Sequence, residues 1–174
     1  MTSFRIGNDS PVSIDSFTLI SYPFTKRKSA GIRFPATQVS SSNINTLDDY
    51  EEGTFTPTVY GGTTAGAGTY LTQEARYTKI GRLVHCSVYM DWSAHTGTGQ
   101  MLLGGFPFTF GHISSAAFGL VSAITLAANS WMQAYANTGS TYMYLGNSAV
   151  GGGAWASISI DTSGSISFDV VYTV

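Results

Sequence analysis

Three observations predict an all-β fold for this chain: an antiparallel β-sandwich, jelly-roll-like, behind an extended N-terminal arm. Stretches such as ASISI and SISFDVVYTV alternate apolar and polar residues with period two, the pattern of a strand with one buried face. Glycine-rich turns (GGTTAGAG, HTGTGQ, GNSAVGGG, DTSG) separate these stretches at short intervals. About ten short strands at such a spacing are the signature of a sandwich and leave almost no room for helices.

A chain of 174 residues buries roughly 70% of the surface its unfolded form exposes, enough for one core without disulfides or metal. Charged residues make up only 10% of it, against about 25% in ordinary soluble domains. Abundant aromatics exclude a disordered chain. The eight Lys and Arg all lie at or before Arg82, and beyond Leu83 the only full charges are Asp91, Asp161 and Asp169. A surface so poor in charge lacks the usual protection against association, so obligate homo-oligomerisation is expected. The single cysteine, Cys86, sits in the apolar alternation VHCSVYM and is read as a small core residue. No apolar run reaches the length of a membrane span, and the start lacks the charged-then-apolar order of a signal peptide. Synthesis in a cytoplasm without membrane insertion is expected.

In chain order, residues 1–33 form the arm. Its extended pieces are broken by Gly7, Pro11 and Pro23, and its apolar residues are too scattered to bury one another. It holds Phe4, Arg5, Ile6, Lys26, Arg27, Lys28 and Arg33. The run 26–28 has three readings: a solvated loop, a dock for an acidic partner surface, or a weak nucleic-acid patch. Residues 34–53 are a neck. Pro35 forces Phe34 to be extended, a Ser/Asn-rich connector follows, and four carboxylates (Asp48, Asp49, Glu51, Glu52) gather around Tyr50. A helical turn across LDDYEE, capped by Thr46, fits this stretch. The acids are open to calcium, to salt bridges with the arm or between subunits, or to plain solvation, although the spacing of a calcium loop is missing.

The β domain spans 54–174, with Gly53 opening its first strand. Strands are predicted at 54–60, 68–73, 75–80, 83–92, 100–103, 114–125, 130–136, 141–145, 154–160 and 165–172. The alanines of 115–128 also suit a helix, but Val, Ile, Thr and Gly in the same stretch favour a strand.

FPATQVSSSNINTLDDYEEGTFTPT, followed by ARYTKIGRLVHCSVYMDWSAHTGTGQMLLGGFPF, resembles a segment of tailed-phage and prophage tail fibres and tailspikes. In those proteins it joins a stem to a terminal β-rich, usually trimeric, receptor-binding domain. The resemblance covers about 34–108 and is most specific at 47–57, 77–81 and 92–99. It implies a virion protein whose arm docks on other phage proteins of the tail, baseplate or capsid, and whose β domain meets a host-surface polysaccharide. The short region before the segment departs from the long stem of the family. A short knob, the distal subunit of a composite fibre, or a capsid decoration of mainly structural role are the forms open to it.

Enzyme activity is not expected. Glycoside hydrolysis needs two carboxylates about 5 to 9.5 Å apart, and the second half offers only Asp91, Asp161 and Asp169. His85, His95 and His112 have no metal-site spacing, and GxSxG is absent. No cofactor, metal or nucleic acid is expected. Sugar rings, however, pack their C–H faces on Trp and Tyr while amides and hydroxyls read their oxygens. Candidate glycan contacts are therefore Trp92, His95, Trp131, Tyr142, Tyr144 and Trp155, each also a candidate for core or subunit seam.

Overall fold

From Val84 to Trp92 every second side chain (Val84, Cys86, Val88, Met90, Trp92) is buried, while His85, Ser87 and Tyr89 between them, and Leu83 before them, are exposed. That parity orients a whole strand, and the same parity in its neighbours builds the fold. The computed structural model describes Phe34, Thr37, residues 41–43 and residues 45–174. The arm residues Phe4, Arg5, Ile6, Lys26, Arg27, Lys28 and Arg33 lie outside the described residues.

Ten strands follow: β1 (Tyr50–Phe55), β2 (Thr58–Gly61), β3 (Gly68–Ile80), β4 (Leu83–His95), β5 (Met101–Gly104), β6 (Ser114–Ser122), β7 (Ser130–Ala136), β8 (Met143–Ala149), β9 (Ala156–Ser157) and β10 (Gly164–Thr173). All pairings are antiparallel, in the order β1-β3-β4-β10-β6-β7-β8-β5-β2, with β9 on β8. The described chain is all-β and contains no helix. The strands form one continuous path of pairings that curls on itself, its two halves (β1-β3-β4-β10-β6 and β6-β7-β8-β5-β2) sharing β6. β6 is the shared strand: residues 116–122 pair with β10, and Ser114 and Ser115 pair with β7.

Four local expectations are corrected. The stretches 68–73 and 75–80 are one long strand, because Gln73, Glu74 and Ala75 pair in unbroken register with Met90, Tyr89 and Val88. The stretch 54–60 is two strands, because Pro57 cannot donate to a ladder and the chain changes partners there, from β3 to β5. LDDYEE is not a helical turn, and Gly53 lies inside β1, which begins at Tyr50. Of 154–160 only Ala156 and Ser157 form a strand.

The inner face is one hydrophobic cluster drawn from both ends of the strand order, including Val59, Val88, Met90, Trp92, Met101, Leu103, Met143, Leu145, Ile166 and Phe168. Towards the neck, Phe106, Phe110 and Tyr172 form a contacting trio, with Phe110 and Tyr172 centroids 4.1 Å apart. β3, the neighbour of end strand β1, meets the other end of the order through a side chain. The hydroxyl of Tyr70 on β3 accepts from the Val59 N–H at 3.0 Å and donates to the Val59 carbonyl at 3.1 Å, so an aromatic residue pairs with edge strand β2 as a strand would. Gln73 adds a bond from Nε2 to the Pro57 carbonyl at 2.7 Å.

Cys86 is buried and free. Burial pushes its thiol from an ordinary 9.0 up to about 12. Burial, with the thiol beside it, also raises the Tyr172 hydroxyl. Both groups are neutral when protonated, so the folded state holds these protons more tightly than the unfolded one. The thiol's contribution to stability is complete below about pH 9 and is lost as pH rises through about 12, and the phenol's is lost at higher pH still. Urea unfolding at a series of alkaline pH values is expected to show stability falling across this window. Cys86→Ala should flatten the fall, and an unchanged slope would show that the thiol is not responsible.

Candidate functional site

On the outer face of the β2-β5-β8-β7 half, the ladder aligns Tyr60 with Leu102, Leu102 with Tyr144, Tyr144 with Tyr135, and Tyr135 with Ser115. Residues opposite one another across a ladder share a face, so three tyrosines stand in one row. Tyr135 stacks on Tyr144 with centroids 5.1 Å apart. Tyr142, just before β8, fills the space between Tyr144 and Tyr60, its centroid 5.2 Å from the first and 6.4 Å from the second. The hydroxyls of Tyr142 and Tyr144 are hydrogen-bonded at 3.0 Å. That bond, more than the nearby phenols, raises the Tyr142 hydroxyl above its ordinary range, and burial does the same for Tyr60. Both are therefore protonated and uncharged at neutral pH.

The row ends in a groove of about 400 Å³ between β6 and β7, walled by Ser115, Ala116, Trp131, Gln133, Tyr135 and Trp155. Trp131, Gln133 and Tyr135 alternate with buried Met132 and Ala134, so strand parity places all three outside. Trp155, just before β9, meets Tyr135 edge-on at 5.3 Å. Its seat depends on Gly146: a Cβ there would lie 2.3 Å from the indole Cε2 and 2.5 Å from the Ala156 carbonyl oxygen. Both indoles are open to solvent, Trp131 at 45% and Trp155 at 37%. Beside them the Ser148 hydroxyl donates to Gln133 Oε1 at 2.8 Å. This face joins flat apolar rings to neutral hydroxyls and an amide, as carbohydrate contact requires.

Four of the six predicted glycan contacts (Trp131, Tyr142, Tyr144 and Trp155) thus come together. The other two are corrected. Trp92 is 1% exposed, and its Nε1–H donates inward to the Asp161 carbonyl at 3.2 Å. His95 is buried, accepting from the Gly97 N–H at Nδ1 (2.9 Å) with Nε2 3.0 Å from the Val59 carbonyl. The first bond puts the ring proton on Nε2, which donates to Val59 and leaves no nitrogen for a ligand. Tyr60, Tyr135 and Gln133 are additional members of the face. Parity with Trp131 signals Tyr135 and Gln133, whereas Tyr60 joins only through the long-range β2-β5-β8 pairing.

The outward-facing Asp91 and Asp169 sit opposite Ser165 and Ser87 respectively, four positions apart along the ladder, or roughly 13 Å at about 3.3 Å per residue. That exceeds the spacing of a glycosidase pair. Asp161 is engaged by the N–H and hydroxyl of Thr125 at 2.7 and 2.9 Å. Asp169 lies 3.2 Å from His85.

A similar fold is known. The crystal structure of Dettilon tailspike protein (gp208) superposes with a TM-score of 0.59 at 17% identity, over 71% of this chain and 24% of that one. The chain therefore spans about a quarter of the tailspike's length, and the likeness is one of fold. No protein-family model matches the sequence, and no curated protein matches it.

At the neck, the LDDYEEG and YTKIG motifs fold onto each other. Lys79, buried on β3, pairs with Asp49, also buried, reaches Glu51 at 3.4 Å, and stands 5.5 Å over the Phe108 ring. The Gly81 N–H donates to the Asp49 carbonyl at 2.9 Å. Gly81 makes this possible by turning the β3–β4 hairpin with φ of 56°, a conformation costly for other residues. Asp49 and Glu51 thus bind within the body itself, which corrects their assignment to the arm or to a neighbouring subunit. Asp48 accepts from the Ser41 N–H at 2.8 Å, and Tyr50 donates to Glu52 at 2.8 Å.

Proposed function

We propose that this chain is a phage virion protein of the tail-fibre or tail-tip kind, a homotrimer that docks through residues 1–33 and presents its β body to a host-surface glycan. The observation that carries this reading is the row of tyrosines leading to the Trp131 and Trp155 groove on an uncharged outer face. The likeness in fold to a tailspike supports the setting. For the trimer contact this reading uses the opposite outer face, where Ile80, Leu83, Tyr89, Leu120 and Val171 are exposed among Glu74, Arg76, His85 and Asp169. The spacing of Asp91 and Asp169 favours a binder over a hydrolase.

Purified protein is expected to coat host cells and block phage adsorption, and periodate oxidation of the cell-surface sugars should abolish both effects. Coating that survives periodate would overturn the glycan reading. Failure to compete at saturating dose, with hundreds of copies per particle by gel densitometry, would establish the capsid-decoration alternative. Light scattering should give three times the 18.5 kDa of the chain.

A further inference from the structure

The groove at the end of the tyrosine row carries a chemical preference as well as a shape. Its walls are indole, phenol, methionine, alanine, serine and glutamine, and none bears a formal charge. At about 400 Å³ it lies within the range of roughly 300 to 1,000 Å³ typical of small-ligand sites. Gln133 Oε1 is occupied by Ser148, which leaves the amide N–H groups to donate to a hydroxyl or carbonyl oxygen. Serine and tyrosine hydroxyls donate and accept equally well. A carboxylate or phosphate set among these groups would lose water without gaining a counter-charge. By contrast, a second groove, about 350 Å³ beside β1 and β3, contains Arg76 and Glu74.

We propose that the Trp131 and Trp155 groove, with the tyrosine row leading to it, selects an uncharged polysaccharide whose repeat carries hydroxyl or N-acetyl groups and no carboxylate, phosphate or sulfate. This rests on the glycan-binding reading and narrows it. The two indoles stand on the same side of β7 and β8, so one takes a sugar's C–H face while Tyr135, stacked on Tyr144, continues the surface towards the next residue of the polymer. Recognition of this kind uses stacking and neutral hydrogen bonds, which salt hardly screens.

The test is binding of the full-length chain to two immobilised panels. One holds neutral bacterial polysaccharides; the other holds polysaccharides rich in uronic acid, sialic acid or phosphate. The expected result is saturable binding within the neutral panel, with Kd changing less than about two-fold between about 50 and about 500 mM NaCl. Trp131→Ala and Trp155→Ala should each weaken binding at least about ten-fold, as for aromatic anchors at an interface. Arg76→Gln should leave it unchanged. Binding confined to the acidic panel, falling with salt and lost in Arg76→Gln, would overturn the neutral-glycan proposal while leaving glycan recognition standing. No binding to either panel, together with periodate-resistant coating of host cells, would overturn both. Unchanged circular dichroism and melting temperature in the two tryptophan variants show that any loss is local. If either variant unfolds, Trp131→Phe and Trp155→Phe replace it, with a smaller loss expected to support the proposal and full affinity to refute it.

Discussion

Lys79→Ala is expected to destabilise the fold by about 3–5 kcal/mol, because it strands a buried carboxylate. Asp49 is 4% exposed and Lys79 is 5% exposed, so neither charge has water to fall back on once its partner is gone. Glu51 behaves differently. Its side chain is 42% exposed and 3.4 Å from the ammonium, and solvent screens that contact, so Glu51→Gln should cost no more than about 1 kcal/mol. The pair Asp49→Leu with Lys79→Met removes both charges at similar volume and is expected to recover most of the loss. Urea unfolding of the four proteins measures all three effects. A cost below about 1 kcal/mol for Lys79→Ala would mean that the pair is hydrated in solution.

Trp92→Ala is expected to cost about 3–5 kcal/mol as well, by a different route. The side chain is fully enclosed beside Ile124 and Gly164, and alanine leaves a cavity that a sheet pinned on both sides of β4 cannot close. It also removes the N–H that satisfies the Asp161 carbonyl. Trp131→Ala, on the exposed groove wall, should alter stability by no more than about 0.5 kcal/mol. Unfolding and polysaccharide binding measured on both variants are thus expected to give opposite profiles: Trp92→Ala loses stability, and Trp131→Ala loses binding. Equal destabilisation of the two would overturn the division between core and contact residues.

The same comparison shows what is legible in the amino-acid pattern. Trp92 continues the parity of Val84, Cys86, Val88 and Met90, so period two alone marks it as core, and the polar turn after it obscures that. Trp131 shares its parity with Gln133 and Tyr135, and its buried alternates are Met132 and Ala134. Strand character is readable because each strand's alternation is local. The row that brings Tyr60 to Tyr144 depends on β2-β5-β8 pairing across many tens of residues, and no local pattern encodes it. The bond between Lys79 and Asp49 also joins positions 30 apart. Both ends sit in conspicuous motifs, yet clustered acids look alike in sequence whether they meet solvent, a neighbour or a buried lysine. The joining of the two halves was hidden for a related reason: it is made by the change of partner within β6.

The six-residue register between β1 and β3 has a mechanical consequence. Tyr50 lies opposite Ile80 and Phe55 opposite Ala75, so β1 runs from the neck towards the far end of the body. A pull on the chain ahead of Tyr50, with the body held at its far end, acts along the strand axis. The ladder is then loaded in shear and its bonds share the force, whereas a pull across the strand would open them one at a time like a zip. Lys79 and its carboxylates stand at the first point to feel that tension.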